Sequence, residues 1–593
     1  MKNLTSSIEP LESRIAPATI IVTSLGDNGP GTLRAALLTA SATPATLDTI
    51  IFKLPTAPAH SENIITLTTG PLDSTGNVNI VGPGAGKLII NGAGNFRVFD
   101  ITDNAVSGRG PSVDSPASIS GLSAVDGKVG APGAGIFSTE SLTLKSVVVS
   151  GNTVTGTGAS SYGGGVAVYG NAQLTKVSIT SSLIAGNSAN AAGGMHLKGT
   201  KSVALSKSVI NDNTAAELAG GAYLISPSVP AVLTITGCTF AGNTVGTGGI
   251  GADGLIFNEG GTTTISSTKI TGNSGGVGGG GLVINGHEGK TVITGSLISA
   301  NSTEYFGAGI TETAGGNITT GTTPVSLTIS KSTISGNQTT ASKAGYLGGA
   351  GIYIQGPNTG TNAYLPVTIT SSVISSNIGA GEGGGLAMTK GVVATLSTCT
   401  IAGNSAATGG GGIATAGTGN DRVNLTIKGG VISSNFGNTA DPTVGSGGGI
   451  LAKGDGTLSL TSTLVTGNVA AGGGGIYVAN TLISATPTVT LNKVTETNNV
   501  GGAFTSNSIT SPFSITGGLM KGNSAFNGAA VFNAGDAGSI IGTIITGNVA
   551  AGKGGGIYAV STVDAADFTV QIAKVTGNTA PLDPDVFGPM TFV

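Results

Sequence analysis

The chain has 593 residues, of which 104 are glycine, 9% are charged and none is tryptophan; its formal net charge is −3 and its mean hydropathy +0.30. Glycine without a three-residue period excludes collagen, and short runs rich in Ile, Val and Thr with so few charges argue against a disordered main body. No Lys/Arg cluster could neutralise a run of phosphates, which argues against nucleic-acid binding, and no apolar run approaches the ~18 residues of a membrane-spanning helix.

In chain order, residues 1–18 carry one early lysine but no continuous apolar stretch, so they do not read as a standard secretory signal. They are expected to be an export-like, disordered leader. Residues 19–106 read as an N-terminal cap and the first coils of a solenoid. After the turn Gly29-Pro30-Gly31, Thr32 to Ala40 places Leu33, Ala36, Leu37 and Ala40 on one side, as a short amphipathic helix does. Strand-like runs follow in IITLTTG, VNIVGPG, KLIINGAG and FRVFDI. Residues 107–135, rich in Gly, Pro and Ser, are expected to form an insertion.

From residue 136 to 580 one pattern recurs, apolar-x-apolar-x-x-Ser-x-apolar-x-Gly-Asn, as in LTISKSTISGN ending at Asn337. Its asparagines are Asn152, Asn187, Asn213, Asn243, Asn273, Asn301, Asn337, Asn377, Asn404, Asn435, Asn468, Asn548 and Asn578, with Asn523 and, one residue irregular, Asn498 between them. The spacing is about 30 residues, the length of one supersecondary unit. Apolar residues ten and eight positions before each Asn give one strand. The next inward positions are five and three before, a step that breaks the alternation, so the chain must bend at a pair such as Ser330-Lys331. A variable polar loop follows each Asn. A glycine cluster and a third strand come next, as in GGGGIATA (Gly409 to Ala416). Three short strands per repeat cannot bury a face alone; stacked coil on coil they enclose one narrow core. The fold expected is therefore all-β, a right-handed parallel β-helix. The Asn column is expected to be structural, with Asn tolerating the left-handed conformation at a bend and stacked amides bonding along the axis. Residues 581–593, with three prolines from Pro581 on, should close the C-terminal end. Cys238 and Cys399 occupy the same place in their coils but lie five coils apart, roughly 24 Å, too far for a disulfide, and are expected to be free.

The stretch from GDNGPGTLRAALLTA through DTIIFKLP to VNIVGPG and FRVFDI resembles the CSLREA-type N-terminal region of bacterial surface β-helix proteins. The repeats, with GN(S/T) followed by GGGI, are similar to those proteins and to polymorphic outer membrane protein passengers. The leader SIEPLESRIAPA resembles short "LE-x-R" motifs of exported proteins of planctomycete-type bacteria. The resemblance covers nearly the whole chain from about Ile20. It implies export to a bacterial cell surface or the extracellular space and no single activity. No C-terminal β-barrel sequence follows, and the FxxN and GGAI tetrapeptides are irregular, so the adhesin role transfers loosely.

Parallel β-helices also include carbohydrate enzymes, so chemistry must be sought residue by residue. Only five arginines occur, and only Arg422 lies in the repeats proper. The best acidic grouping is Glu259, Glu288 and Glu312, on or just after the third strand of successive coils beside His287; as a binding site it competes with the plainer reading of solvated acids. GGIGADGLI matches a calcium-binding nonapeptide once, which makes Asp253 a candidate calcium ligand, although such sites need tandem copies. His60 and His196 have no partners at metal spacing. Tyr353, Tyr477 and Tyr558 share an outward position on non-adjacent coils, so no continuous aromatic platform is expected. Recognition is expected on the edge formed by the variable loops. No catalytic residue and no cofactor is expected. The reading is a monomeric, non-enzymatic scaffold or adhesin-like surface with a glycan or protein partner; the alternatives are a polysaccharide lyase or glycoside hydrolase, and a calcium-dependent binding module.

Overall fold

The computed structural model describes residues 17–593 apart from 56–61, 103–113, 159–160, 226–230, 247–248, 250–253, 259–260, 288, 315–324, 342–346, 358–363, 440–445, 480–486, 509–510, 536, 561–566 and 572. It is a right-handed parallel β-helix. Strands pair in parallel with their equivalents on the neighbouring coils, and the first of the long sheets has 20 strands. Ile334, Ile374 and Ile401 stack in register on the second sheet and are fully buried, as the period-two pattern requires.

The corner between the first and second sheets falls at Ser330-Lys331. Lys331 takes φ +48°, and the equivalent Ser371, Thr398 and Ser462 do the same. The inward residue after the corner is small and hydroxylic. Ser332 Oγ donates to the Ser330 carbonyl at 2.8 Å, and the Ser332 N–H donates to Ser372 Oγ of the next coil at 3.2 Å. Cys238 and Cys399 fill the same column as free, buried thiols whose pKa values are pushed up by burial.

The left-handed residue at the second corner is not the asparagine but the one before it: Gly336, Gly403 and Gly467, with Ala300, Ser376 and Ser434 where glycine is missing. The asparagine turns inward instead. The Asn377 N–H and Nδ2 both donate to Asn404 Oδ1, at 3.0 and 2.9 Å; Asn404 Nδ2 donates in turn to the Ile374 carbonyl at 3.0 Å and to Asn435 Oδ1 at 2.9 Å. The bonds run unbroken from Asn152 to Asn578, with every member buried. Between Asn468 and Asn523 the ladder residue is Asn499; Asn498 sits at the left-handed position, φ +54°. The irregularity in the sequence is thus an Asn replacing the usual glycine, which moves the repeat by one residue.

The residues after the ladder asparagines form a fourth ladder of single bridges and short strands, mostly of two residues such as Ser405–Ala406, where the sequence shows only a variable loop. Two residues are too few to display an alternation. The glycine cluster then leads into the third sheet. A Cβ on Gly385 would lie 2.6 Å from the Gly412 carbonyl and 3.0 Å from the Asn404 carboxamide, so the ladder needs a residue without a side chain there.

At the N-terminal end, helix α1 (Leu33–Ser41) buries Leu33, Ala36, Leu37 and Ala40, the expected face. Thr32 Oγ1 caps it by accepting from the Ala35 N–H. Asp27 ties α1 to the first coils by accepting from Arg34 at 2.7 Å and from the Thr68 and Thr69 backbone at 2.9 and 3.1 Å. The segment read as an insertion is part of the solenoid over much of its length. Ala117–Ser120 pairs with Val78–Val81 and Leu142–Lys145, and Ser123–Val125 lies in the second sheet. Apolar-x-apolar triplets as short as Ala117-Ser118-Ile119 hide easily among Gly, Pro and Ser. At the far end Asp585 takes the place of the next asparagine, accepting from the Asn578 N–H and Nδ2 at 3.1 and 2.9 Å.

Candidate functional site

Along the third sheet, odd and even residues separate. Ile352 and Ile354 point into the core, and Tyr353 and Gln355 point outward. Small residues stand beside Tyr353 on the following coils, Ala387 and then Ala414, in register. This step from a large ring to two alanines leaves a concavity of about 450 Å³ on the outer face, lined among others by Leu347, Tyr353, Gln355, Glu382, Lys390 and Lys453. The floor is apolar and largely buried at Leu347 and Tyr353, while Gln355, Thr389 and Lys390 are half-buried at the sides. A concave, mostly apolar site with a few placed polar groups is the usual form of a small-ligand pocket.

Its charges come from three different coils. Glu382 precedes the strand Leu386–Thr389, and its backbone carbonyl accepts from the Gly348 and Gly349 N–H groups at 2.8 and 2.9 Å. Its Oε1 is paired with Lys453 Nζ, and its Oε2 is buried without a hydrogen bond to any described residue. Lys390, at the end of the same strand, takes φ +54° and has no carboxylate partner among the described residues. Among the described residues the cavity therefore offers one neutralised carboxylate, one cation without a carboxylate partner, the Gln355 amide and the Tyr353 hydroxyl, which donates to Gln355 Oε1 at 3.0 Å. Leu347 and Glu382 both come from connections that follow the ladder asparagines, the edge on which recognition is expected.

Of the residues singled out as binding or calcium candidates, only the side chain of Glu312 is described. Glu259, Glu288 and Asp253 lie outside the described residues, as do His60 and the His287 side chain. Glu312 is described and faces inward, fully buried, in register between Ile284 and Ile354. It is a core residue, neither a solvated acid nor an outward ligand, because it occupies the inward parity of its strand. Among the described residues no group of three or more His, Cys, Asp or Glu could hold a metal. His196 is enclosed by rings, stacked on Tyr223 at 5.3 Å and edge-on to Tyr169 at 5.1 Å, with its Nδ1 3.1 Å from the Tyr169 hydroxyl. Burial, aided by Lys198, lowers its pKa to about 3, so it stays neutral at physiological pH.

The tyrosines do share the outward column, but Tyr353 and Tyr477 are buried there. Tyr558 stacks between Phe532 and Phe587 of its two neighbouring coils, at 5.3 Å on each side. A short continuous aromatic stack therefore exists at the C-terminal end, contrary to expectation; tyrosine alone is too narrow a search for it.

Sequence reasoning also missed Glu496. It stands three before Asn499, where other coils carry Ile, Val, Phe or Met, in register between Val465 and Met520. It is fully buried, neither carboxyl oxygen has a hydrogen bond to a described residue, and burial raises its pKa to about 8. Among the described residues no helix is long and apolar enough to cross a membrane. Compared with known proteins, the chain matches no family model and no curated protein.

Proposed function

We propose that the protein is an exported bacterial surface or extracellular β-helix that works by binding: a rigid scaffold presenting a recognition groove on the outer face of its third sheet. The observation that carries this reading is the cavity between Tyr353 and Lys453, in which Glu382 is already engaged by Lys453 and Lys390 remains to meet a ligand. Glycoside hydrolysis ordinarily uses two carboxyl groups across the scissile bond. Among the described residues Glu382 is the one carboxylate lining this cavity, and its ion pair favours orientation of a ligand over proton transfer. The resemblance of the N-terminal region and repeats to bacterial surface β-helix proteins supports the placement outside the cell.

Titrating the full chain with soluble neutral and acidic oligosaccharides and with peptides tests the reading. Saturable binding is expected, weakened about tenfold by Lys390→Ala, the scale of one lost charged contact. Absence of saturable binding across the panel counts against the groove. Shortening of an oligosaccharide by the wild type, abolished in Glu382→Gln, overturns the binding role in favour of catalysis.

A further inference from the structure

The fourth ladder carries one outward column, the residue directly after each ladder asparagine, and its chemistry changes midway along the solenoid. In the N-terminal half it reads Thr153, Ser188, Thr214, Thr244, Ser274, Ser302, all hydroxylic, and then Gln338. From Ile378 onward it reads Ile378, Ser405, Phe436, Val469, Val500, Ser524, Val549, each bridged to the next, and it returns to a hydroxyl at Thr579. Ile378, Phe436, Val500 and Val549 are 50, 46, 48 and 52% exposed. Nothing in the packing of the coil demands this, because the same place holds Thr or Ser in the N-terminal coils without any break in the Asn ladder. An exposed apolar strip of this kind marks an interaction surface.

The order of residues along the strip identifies the occupant. Reading outward from Val469, Phe436 and Val500 are apolar on both sides, Ser405 and Ser524 follow on both sides, and Ile378 and Val549 end it on both sides. The strip is the same read from either end. An identical strip laid against it in the opposite direction about a twofold axis at Val469 sets apolar against apolar and serine against serine. That is the self-complementarity of an isologous dimer. The coil rise of ~4.8 Å sets the period of the strip, and a second copy has the same period. None of these residues is charged, which gives no purchase to an anionic lipid surface or a charged peptide.

We infer that this face is a homodimer contact, in which two solenoids lie antiparallel side by side, instead of the monomer expected from the sequence. Its six steps of ~4.8 Å give a strip roughly 30 Å long and about 10 Å wide. Two such faces bury on the order of 600 Å², below the ~1,200–2,000 Å² of stable complexes, so the dimer is weak and depends on concentration.

Sedimentation equilibrium of the full chain tests it, beside a Phe436→Ser/Val500→Thr variant whose new side chains are those the column already tolerates elsewhere. The wild type should rise from 57.0 kDa toward twice that mass with concentration, and the variant should need at least about tenfold more protein for the same shift. A second arm uses Val469→Cys on the axis, which should give a disulfide-linked dimer under oxidation. A wild type that stays monomeric at several hundred micromolar overturns the inference. So does association unchanged in the double variant, or a strip that instead binds neutral phosphatidylcholine vesicles.

Discussion

Replacing Glu496 with methionine is expected to stabilise the protein, by about 5–6 kcal/mol at pH 8 and by only about 1–2 kcal/mol near pH 4. Glu496 occupies a core position between Val465 and Met520, and no donor among the described residues reaches its carboxyl group. Burial raises its pKa from 4.5 to about 8. The native state therefore binds a proton that the unfolded chain releases between these two values. Stability is fully present below about pH 4.5, falls as pH rises toward 8, and levels off above it. Methionine removes the proton and matches its neighbour. The measurement is a series of thermal melts from pH 4 to 9, with hydrogen exchange over residues 488–525, since coils of a solenoid open locally. The wild type should lose protection there as pH rises and the variant should not. Parallel pH profiles for the two proteins would show that Glu496 finds a partner or water in solution.

Asn404→Leu is expected to cost about 2–6 kcal/mol, more than any change to ligand binding. Leucine fills a similar volume but cannot bond along the axis. The Asn377 N–H loses its acceptor, the Ile374 carbonyl loses its side-chain donor, and both lie where water cannot replace them. Each orphaned buried group costs about 1–3 kcal/mol. The damage should appear as early exchange in the coils of Asn377, Asn404 and Asn435, with distant coils unaffected. An unchanged melting profile together with lost ligand binding would make the column a recognition surface instead.

These two residues also mark how far the sequence can be read. The Asn column, the corner at Ser330-Lys331 and the cap helix are legible because each is a local pattern: a fixed offset, a break in parity, one apolar side. Glu496 was obscured by a one-residue choice. Taking Asn498 as the repeat residue leaves Glu496 at an outward parity, whereas taking Asn499 puts it at the inward one, and a slip of one reverses every side chain in a strand. Glu312 was legible by the same alternation, since it follows Ile310 as Ile354 follows Ile352. The groove was not. Glu382 and Lys453 are 71 residues apart, and their meeting depends on how far intervening coils carry each strand, which no local period encodes. Most strands of the fourth ladder, at two residues, are below the length at which any period can be recognised.

The asparagine column has a further consequence for how such a chain can change. Successive ladder asparagines are separated by as few as 24 residues, from Asn499 to Asn523, and as many as 40, from Asn337 to Asn377, while the amide-to-amide distance stays at 2.9–3.0 Å. The column acts as a ruler that holds the pitch constant whatever length of polypeptide is looped out between its marks. Loops can therefore be lengthened, exchanged or shortened, and whole turns copied or deleted, without the remaining turns registering the difference. Specificity and reach can then vary independently of foldability.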